Sequence, residues 1–261
     1  LGKLGNTRPL RGGDVVLDIG CNDGTLLNQI QTPNVKRVGI DPSSTKFLKN
    51  FNDDISVIPD FFSKKLIQEN VGEIAFNQIT AIAMFYDLDD PLAFFKDIES
   101  LLAKDGIWAI ELAYLPTMLA NLVYDQVCHE HVTYPALSQI KWLTDRAGLR
   151  ILEVDFNNVN GGSFLVIGTH SGNSSLNSKS SVSEILDQET SLHTLPPFLR
   201  FAERVKSHRE DVIEFFKSRV NDQKSVLGYG ASTKGNIVLN YCGITRDQLP
   251  AICDSNPEKW G

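Results

Sequence analysis

Cysteine is scarce in this 261-residue chain, which has four: Cys21, Cys128, Cys242 and Cys253. No two stand at C-x-x-C spacing, so the sequence shows no zinc knuckle and the expectation for metal ligands is none. The four read instead as reduced thiols of a cytoplasmic protein. Long apolar runs are also missing. None reaches the roughly 18 residues that span a bilayer, and the first stretch, LGKLGNTRPLRGGD, has no apolar segment of the kind that directs secretion. Positive charge is not in excess: 25 Lys and Arg face 32 Asp and Glu, a net −7. That balance argues against nucleic acid as a partner. What is present is an ordinary core-forming composition, 42% hydrophobic, in a chain long enough for one large or two small domains.

Short apolar segments alternate with helical ones in the first part. Residues 15–19, 37–40, 55–58, 79–84 and 107–112 read as strands, and 25–31 and 92–103 as helices between them. Such alternation predicts an α/β fold with a parallel sheet covered on both faces. Two further strands, 150–156 and 164–169, are joined by the turn-rich NNVNGG, which suits an antiparallel pair closing the sheet. Residues 171–183 are polar, Ser-rich and without periodicity, as linkers are. Pro196 and Pro197 then open a long helical pattern. A strand from Ser225, a glycine-rich turn, a helix and a strand ending at Cys253 form one βαβ unit, too little to bury both its faces. The expected division is a ligand-binding domain over 1–170, a linker with helices over 171–222 and a partial Rossmann-like domain over 223–261.

VVLDIGCNDG, residues 15–24, runs from a buried strand through a glycine turn into a helix. Gly20 and Gly24 permit a tight turn and close backbone approach to a ligand. Asp41 closes the next strand 21 residues after Gly20, where an acid is placed to accept from ribose hydroxyls. Asn22 stands where the second glycine of G-x-G-x-x-G would be, and a pyrophosphate needs that glycine. S-adenosylmethionine has no pyrophosphate, so the loop favours it over a nicotinamide dinucleotide. Asp18 holds the loop or the cationic end of such a ligand. Asp60 and Phe61, after the third strand, are placed to bond an adenine amine and cover its ring. Met84 and Phe85 end the fourth strand, beyond whose carboxyl end ligands of open α/β sheets lie. The alternative is that the glycines only turn the chain and that Phe61 and Phe85 are core.

Three further segments, AMFYDLDDPLAFF (83–95), YDQVCHEHVTY (124–134) and VLGYGASTKGNIVLNYCGI (226–244), accompany VLDIGCNDGTLL. Together they resemble the S-adenosylmethionine-dependent C-methyltransferases of deoxysugar biosynthesis, over nearly the whole chain. The resemblance implies a class I methyltransferase sheet with an antiparallel last strand, and methylation of the carbon next to the ketone of a nucleotide-linked 4-keto sugar. It implies too that a cysteine-rich zinc domain and part of the C-terminal domain lie outside this sequence. Cys128 and Asp87 stand where members of the family carry Tyr and His.

Carbon methylation needs a base to remove the proton α to the ketone, and histidine suits the task. By resemblance His131 is the base, and Glu130 orients the sugar or an imidazole. Cys128 is a weak proton donor or simply a small buried residue. Tyr134, Tyr86 and Asn160 are candidates to bond the enolate oxygen or the sugar. Gly161 and Gly162 make a hairpin or admit the sugar ring. HEH offers only two histidines two apart, a poor metal site, and its alternative is a polar loop of satisfied histidines. In the second glycine loop Gly230 and Lys234 are candidates for a nucleotide diphosphate at a helix start, with a plain turn and a solvated lysine as the alternative. The expected partner is a nucleotide sugar held between the two domains, without nucleic acid or membrane. An O- or N-methyltransferase, or a cofactor-binding protein without turnover, are the rival readings.

Overall fold

The structure is a computed structural model and describes Leu1–Trp260. The chain divides into two compact units, Leu1–Leu115 with Val132–Thr190, and Pro116–His131 with the residues from Ser191 on. The first unit is built on a seven-stranded sheet: β1 (Val15–Ile19), β2 (Lys36–Ile40), β3 (Ile55–Ile58), β4 (Phe76–Ile82), β5 (Leu102–Ala113), β6 (Leu149–Asn157) and β7 (Ser163–His170). Their order across the sheet is β3-β2-β1-β4-β5-β7-β6. The first five strands run parallel, and β7 is antiparallel to both β5 and β6. The order reverses at β1, between β2 and β4, which opens a crevice at the carboxyl ends of these strands.

The helices of this unit are α1 (Gly2–Thr7), α2 (Thr25–Asn28), α3 (Lys64–Val71), α4 (Pro91–Leu101), the first residue of α5 (Leu115–Asn121), α6 (Leu137–Arg146) and α7 (Ser181–Gln188). Two of them start on side-chain caps. Ser63 accepts from Leu66 N–H at 3.2 Å, and Asp90, followed by Pro91, accepts from Ala93 N–H at 2.9 Å. α2 is shorter than the sequence suggests, ending at Asn28. α6 has no accepting side chain at its N-cap, Ala136, whose own N–H donates to Gln139 Oε1 at 2.9 Å. Its first amides, Leu137 and Ser138 N–H, donate at 2.8 and 2.7 Å to Glu189, which is 2% exposed and also accepts from the Tyr114 hydroxyl at 2.8 Å.

The core lies on both faces of the central strands. Phe85, Phe94, Phe95 and Trp108 form an aromatic chain with centroids 5.4–5.7 Å apart. Trp108 pairs across the sheet with Gly168, and a β-carbon there would lie 2.2 Å from the indole, so only glycine fits. The Ser-rich stretch expected as a linker is docked on the edge strand β6: Arg150 donates to Ser178 Oγ at 3.0 Å and to the carbonyls of Asn173 and Leu176, and Lys179 N–H donates to Leu152 O at 2.8 Å.

The second unit contains the rest of α5, the loop through His131, α8 (Pro196–Asn221), and a βαβ unit of β8 (Gly228–Tyr229), α9 (Thr233–Cys242) and β9 (Ile252–Cys253). β8 starts three residues later than the sequence suggests and pairs parallel with β9. Tyr124 joins the loop to two helices: its hydroxyl meets His208 Nδ1 at 3.0 Å and its ring contacts Tyr241 at 5.5 Å. Burial lifts this phenol's pKa to about 12, with the Cys242 thiol adding to it. Arg204 closes the end of α5 by donating to Leu119 O and Ala120 O at 3.0 and 2.9 Å. Among the described residues no helix is long and apolar enough to cross a membrane.

Candidate functional site

The crevice at the order reversal is lined by the segments following β1, β2, β3 and β4. After β1 the chain turns at Gly20 (φ +73°), whose N–H donates to Ile40 O at 2.8 Å. A β-carbon on Gly20 would sit 3.0 Å from Met84 Cγ, so the absence of a side chain is what lets the loop pass the end of β4. Gly24 (φ +79°) lies against the Phe51 ring, 2.6 Å from where its β-carbon would be, and begins α2. Asn22 holds φ +44°, a left-handed conformation that asparagine tolerates. Its N–H donates to Asp41 Oδ2 at 3.0 Å, while Asp41 Oδ1 accepts from Ser43 N–H at 2.6 Å. Each carboxylate oxygen has a second lone pair, so Asp41 fixes the loop and keeps acceptor capacity for two hydroxyls.

Asp18 lies near the end of β1. It is 4% exposed and accepts from the Thr80 hydroxyl at 2.6 Å on the neighbouring strand. Burial raises its pKa to about 7, against the opposing Thr80 bond and with a further push from Asp41. Burial likewise moves the Cys21 thiol up to about 12, helped by Asp18 and Asp41, so this cysteine is an inert packing residue. Asp60 and Phe61 are on the surface at the end of β3. Asp60 Oδ1 accepts from Phe61 N–H at 2.7 Å, and the Phe61 ring is 77% exposed.

β4 ends because Ala83 adopts φ +57°, a strained conformation for a residue with a β-carbon. Ala83 N–H donates to Glu111 O at 2.8 Å and its carbonyl accepts from the Tyr86 hydroxyl at 2.6 Å, which together hold the strain. The turn sends Met84 toward Gly20. It sends Phe85 inward, and here the sequence reading is corrected: Phe85, expected beside the cofactor, is 1% exposed and packed against Phe94 and Phe95. An aromatic after a strand looks the same from the sequence whether it faces core or ligand. The Tyr86 carbonyl then accepts from Val132 and Thr133 N–H at 2.8 and 3.2 Å, tying the residues that follow HEH to this edge of the sheet. Tyr134 follows them, half-buried. Asn160 (φ +55°) occupies the tight β6–β7 connection, with Gly162 O accepting from Tyr114 N–H at 3.1 Å.

Cys128, His129, Glu130 and His131 belong to the second unit. His129 is 91% exposed and lies 3.9 Å from Glu130. His131 is half-buried, and its Nδ1 is 2.9 Å from Gln126 O. A carbonyl only accepts, so Nδ1 carries the proton and the neutral ring has its basic lone pair on Nε2. In the glycine loop of the same unit a cavity of about 330 Å³ is lined by Gly230, Ser232, Gly235, Asn236 and neighbours, and Lys234 is not among its lining residues. Asp254 accepts from Ala231 N–H at 2.7 Å there, which places a carboxylate, its pKa lowered by the Asn256 and Ala231 amides, against a loop expected to hold phosphate. Among the described residues no group of three or more His, Cys, Asp or Glu is placed to hold a metal ion.

The donor set of the crevice suits one ligand chemistry. The positive-φ glycine turn after β1, the Asp41 carboxylate with acceptor capacity left, the Asp60 carboxylate and the exposed Phe61 ring stand at the ends of neighbouring strands. These features with this strand order define an S-adenosylmethionine-dependent methyltransferase domain. The profile described as "Methyltransferase domain" matches residues 3–154, and the chain belongs to that family. A second profile, "C-methyltransferase C-terminal domain", matches residues 158–261. The C-methyltransferase NovU of Streptomyces niveus is 28% identical over 97% of this chain and 60% of its own length, so the chain spans about three fifths of that relative. A tRNA U34 carboxymethyltransferase of Campylobacter lari is 29% identical over 53% of this chain and 47% of its own length. Among solved structures, the plantazolicin methyltransferase BpumL in complex with a desmethylplantazolicin analogue and S-adenosylhomocysteine (SAH) superposes with a TM-score of 0.50 at 16% identity, over 65% of this chain and 81% of its own.

Proposed function

We propose that the protein is a C-methyltransferase that methylates the carbon next to the ketone of a nucleotide-linked 4-keto deoxysugar, with His131 as the base. The observation that carries the reading is the His131 tautomer. Its Nδ1–H is committed to Gln126 O, so Nε2 is the ring nitrogen that can accept a proton. The C-methyltransferase match over 158–261 and the likeness to NovU support carbon as the acceptor.

Bound S-adenosylmethionine supplies an electrophilic methyl group. Gly20, Asn22 and Asp41 hold its amino-acid and ribose parts, and Asp60 and Phe61 its adenine. His131 Nε2 takes the α proton, the C–H electron pair becomes a carbon–carbon double bond, and the carbonyl electrons move to oxygen. The carbon nucleophile so formed would take the methyl group of the bound donor, whose S–CH3 electron pair would stay on sulfur as S-adenosylhomocysteine leaves. Glu130 and the Cys128 thiol stand in the same loop as groups for orienting the sugar and donating protons, and Tyr86, Tyr134 and Asn160 as sugar contacts on the first unit. Gly230 and Lys234 mark the loop for the nucleotide part. The net charge of −7 favours a small-molecule acceptor over the RNA substrate of the Campylobacter relative.

The test is methylation of a thymidine-diphosphate 4-keto-6-deoxysugar by the protein and its His131→Ala variant. A kcat reduced by about 10²–10⁴, with unchanged binding of S-adenosylhomocysteine, is expected. Equal turnover removes His131 as the base, and retention of an α-carbon deuterium label through methylation removes carbon as the acceptor.

A further inference from the structure

Three buried side-chain polar atoms among the described residues have no hydrogen-bond partner: Trp108 Nε1, Asp125 Oδ1 and Thr133 Oγ1. Leaving such an atom unsatisfied costs about 1–3 kcal/mol, so each calls for an explanation. Trp108 is a fully buried core residue, and Asp125 lies in the second unit. Thr133 is bonded through its backbone to the turn that follows β4. Gly20 abuts Met84, Met84 leads through Phe85 to Tyr86, and the Tyr86 carbonyl receives both Val132 and Thr133 N–H. The backbone of Thr133 is thereby fixed to the turn that follows β4, while its hydroxyl is spent on nothing in the protein. One residue, Val132, separates it from His131 in the chain. Of the expected donors, Tyr86 already gives its phenolic proton to Ala83 O.

We propose that Thr133 is a catalytic residue whose hydroxyl donates a hydrogen bond to the ketone oxygen as negative charge develops on it. The inference rests on the ketone-methylation reading above. A short hydroxyl held at a fixed backbone position, unengaged before substrate binds, suits this work, because it needs no competing bond to be broken when charge appears. Nothing in the sequence separates Thr133 from its neighbours, since its role lies in a missing partner and a long-range tie to Tyr86.

The experiment compares the protein with Thr133→Val and Thr133→Ser. Three quantities are measured: deuterium exchange from D2O into the α carbon of a thymidine-diphosphate 4-keto-6-deoxysugar in the presence of S-adenosylhomocysteine, the Kd of S-adenosylhomocysteine, and Tm. Valine matches threonine in shape and lacks the hydroxyl. It should slow exchange by about 10²–10³, leave the Kd within twofold and keep or raise Tm, because an unsatisfied hydroxyl has been removed. Serine should restore most of the exchange. Exchange in Thr133→Val at the parental rate overturns the proposal, as does a joint fall of Tm, cofactor affinity and rate, the mark of a packing residue. If the unmodified protein binds S-adenosylhomocysteine but exchanges no deuterium, the proposal falls together with the ketone reading. If it does not bind S-adenosylhomocysteine, the methyltransferase reading itself fails.

Discussion

Asp18 shows how a single buried carboxyl couples the cofactor loop to stability. It sits inside the sheet and accepts from Thr80, and burial holds its pKa near 7 against an ordinary value of 3.8. Between those two pH values the folded protein keeps a proton that the unfolded chain has released. The contribution is therefore fully present below about pH 4 and is lost as pH rises through 7. The expected loss is on the order of a few kcal/mol. Urea unfolding at pH 5 and pH 8 should show the difference, and Asp18→Asn, which cannot ionise, should flatten it. A variant with the same slope as the parent would place the titration elsewhere. The motif residues around Asp18 were legible because their signal is local: a strand, a glycine turn and an acid one strand further on. Phe85 was not, because burial is decided by Phe94 and Phe95 on a helix that the strand end cannot foresee.

At the scale of elements, α6 is anchored from a distance. Its first amides find their acceptor in Glu189, about fifty residues later in the chain, and the same carboxylate takes the Tyr114 hydroxyl at the end of β5. Burial and the bond to Glu189 move the Tyr114 phenol upward in pKa. Glu189→Ala would leave three buried donors without an acceptor and should cost about 2–4 kcal/mol in urea unfolding. Glu189→Gln, whose amide oxygen still accepts, should cost less, and an alanine variant as stable as the parent would show the carboxylate to be dispensable. The strands of the first unit and the helix α4 were readable from periodicity. The capping of α6 was not, since Ala136 offers no oxygen and its substitute comes through tertiary contact.

For the whole molecule, ligand binding and folding are linked through the first unit. S-adenosylhomocysteine at a hundred times its Kd should stabilise the folded state by about 2.7 kcal/mol. Hydrogen exchange should report that gain in the amides of Gly20, Asn22, Ser43 and Phe61, the groups that shape the crevice after β1, β2 and β3. Protection gained only in α8 and α9 would put the ligand in the second unit and overturn the assignment of the crevice.

Sequence alone determined the α/β class, the antiparallel closing pair, the glycine turn after the first strand with an acid following the second, and S-adenosylmethionine as the donor, because strand periodicity, turn chemistry and nearest-neighbour spacing act over a few residues. Tertiary structure alone decided that Asp18 faces inward, that Phe85 is core, that Arg150 gathers the Ser-rich segment onto the edge strand β6, that His131 bears its lone pair on Nε2 and that the Thr133 hydroxyl is left without a partner. Each of those depends on which atoms from distant parts of the chain meet, and hydrogen bonding and desolvation are settled only when they do.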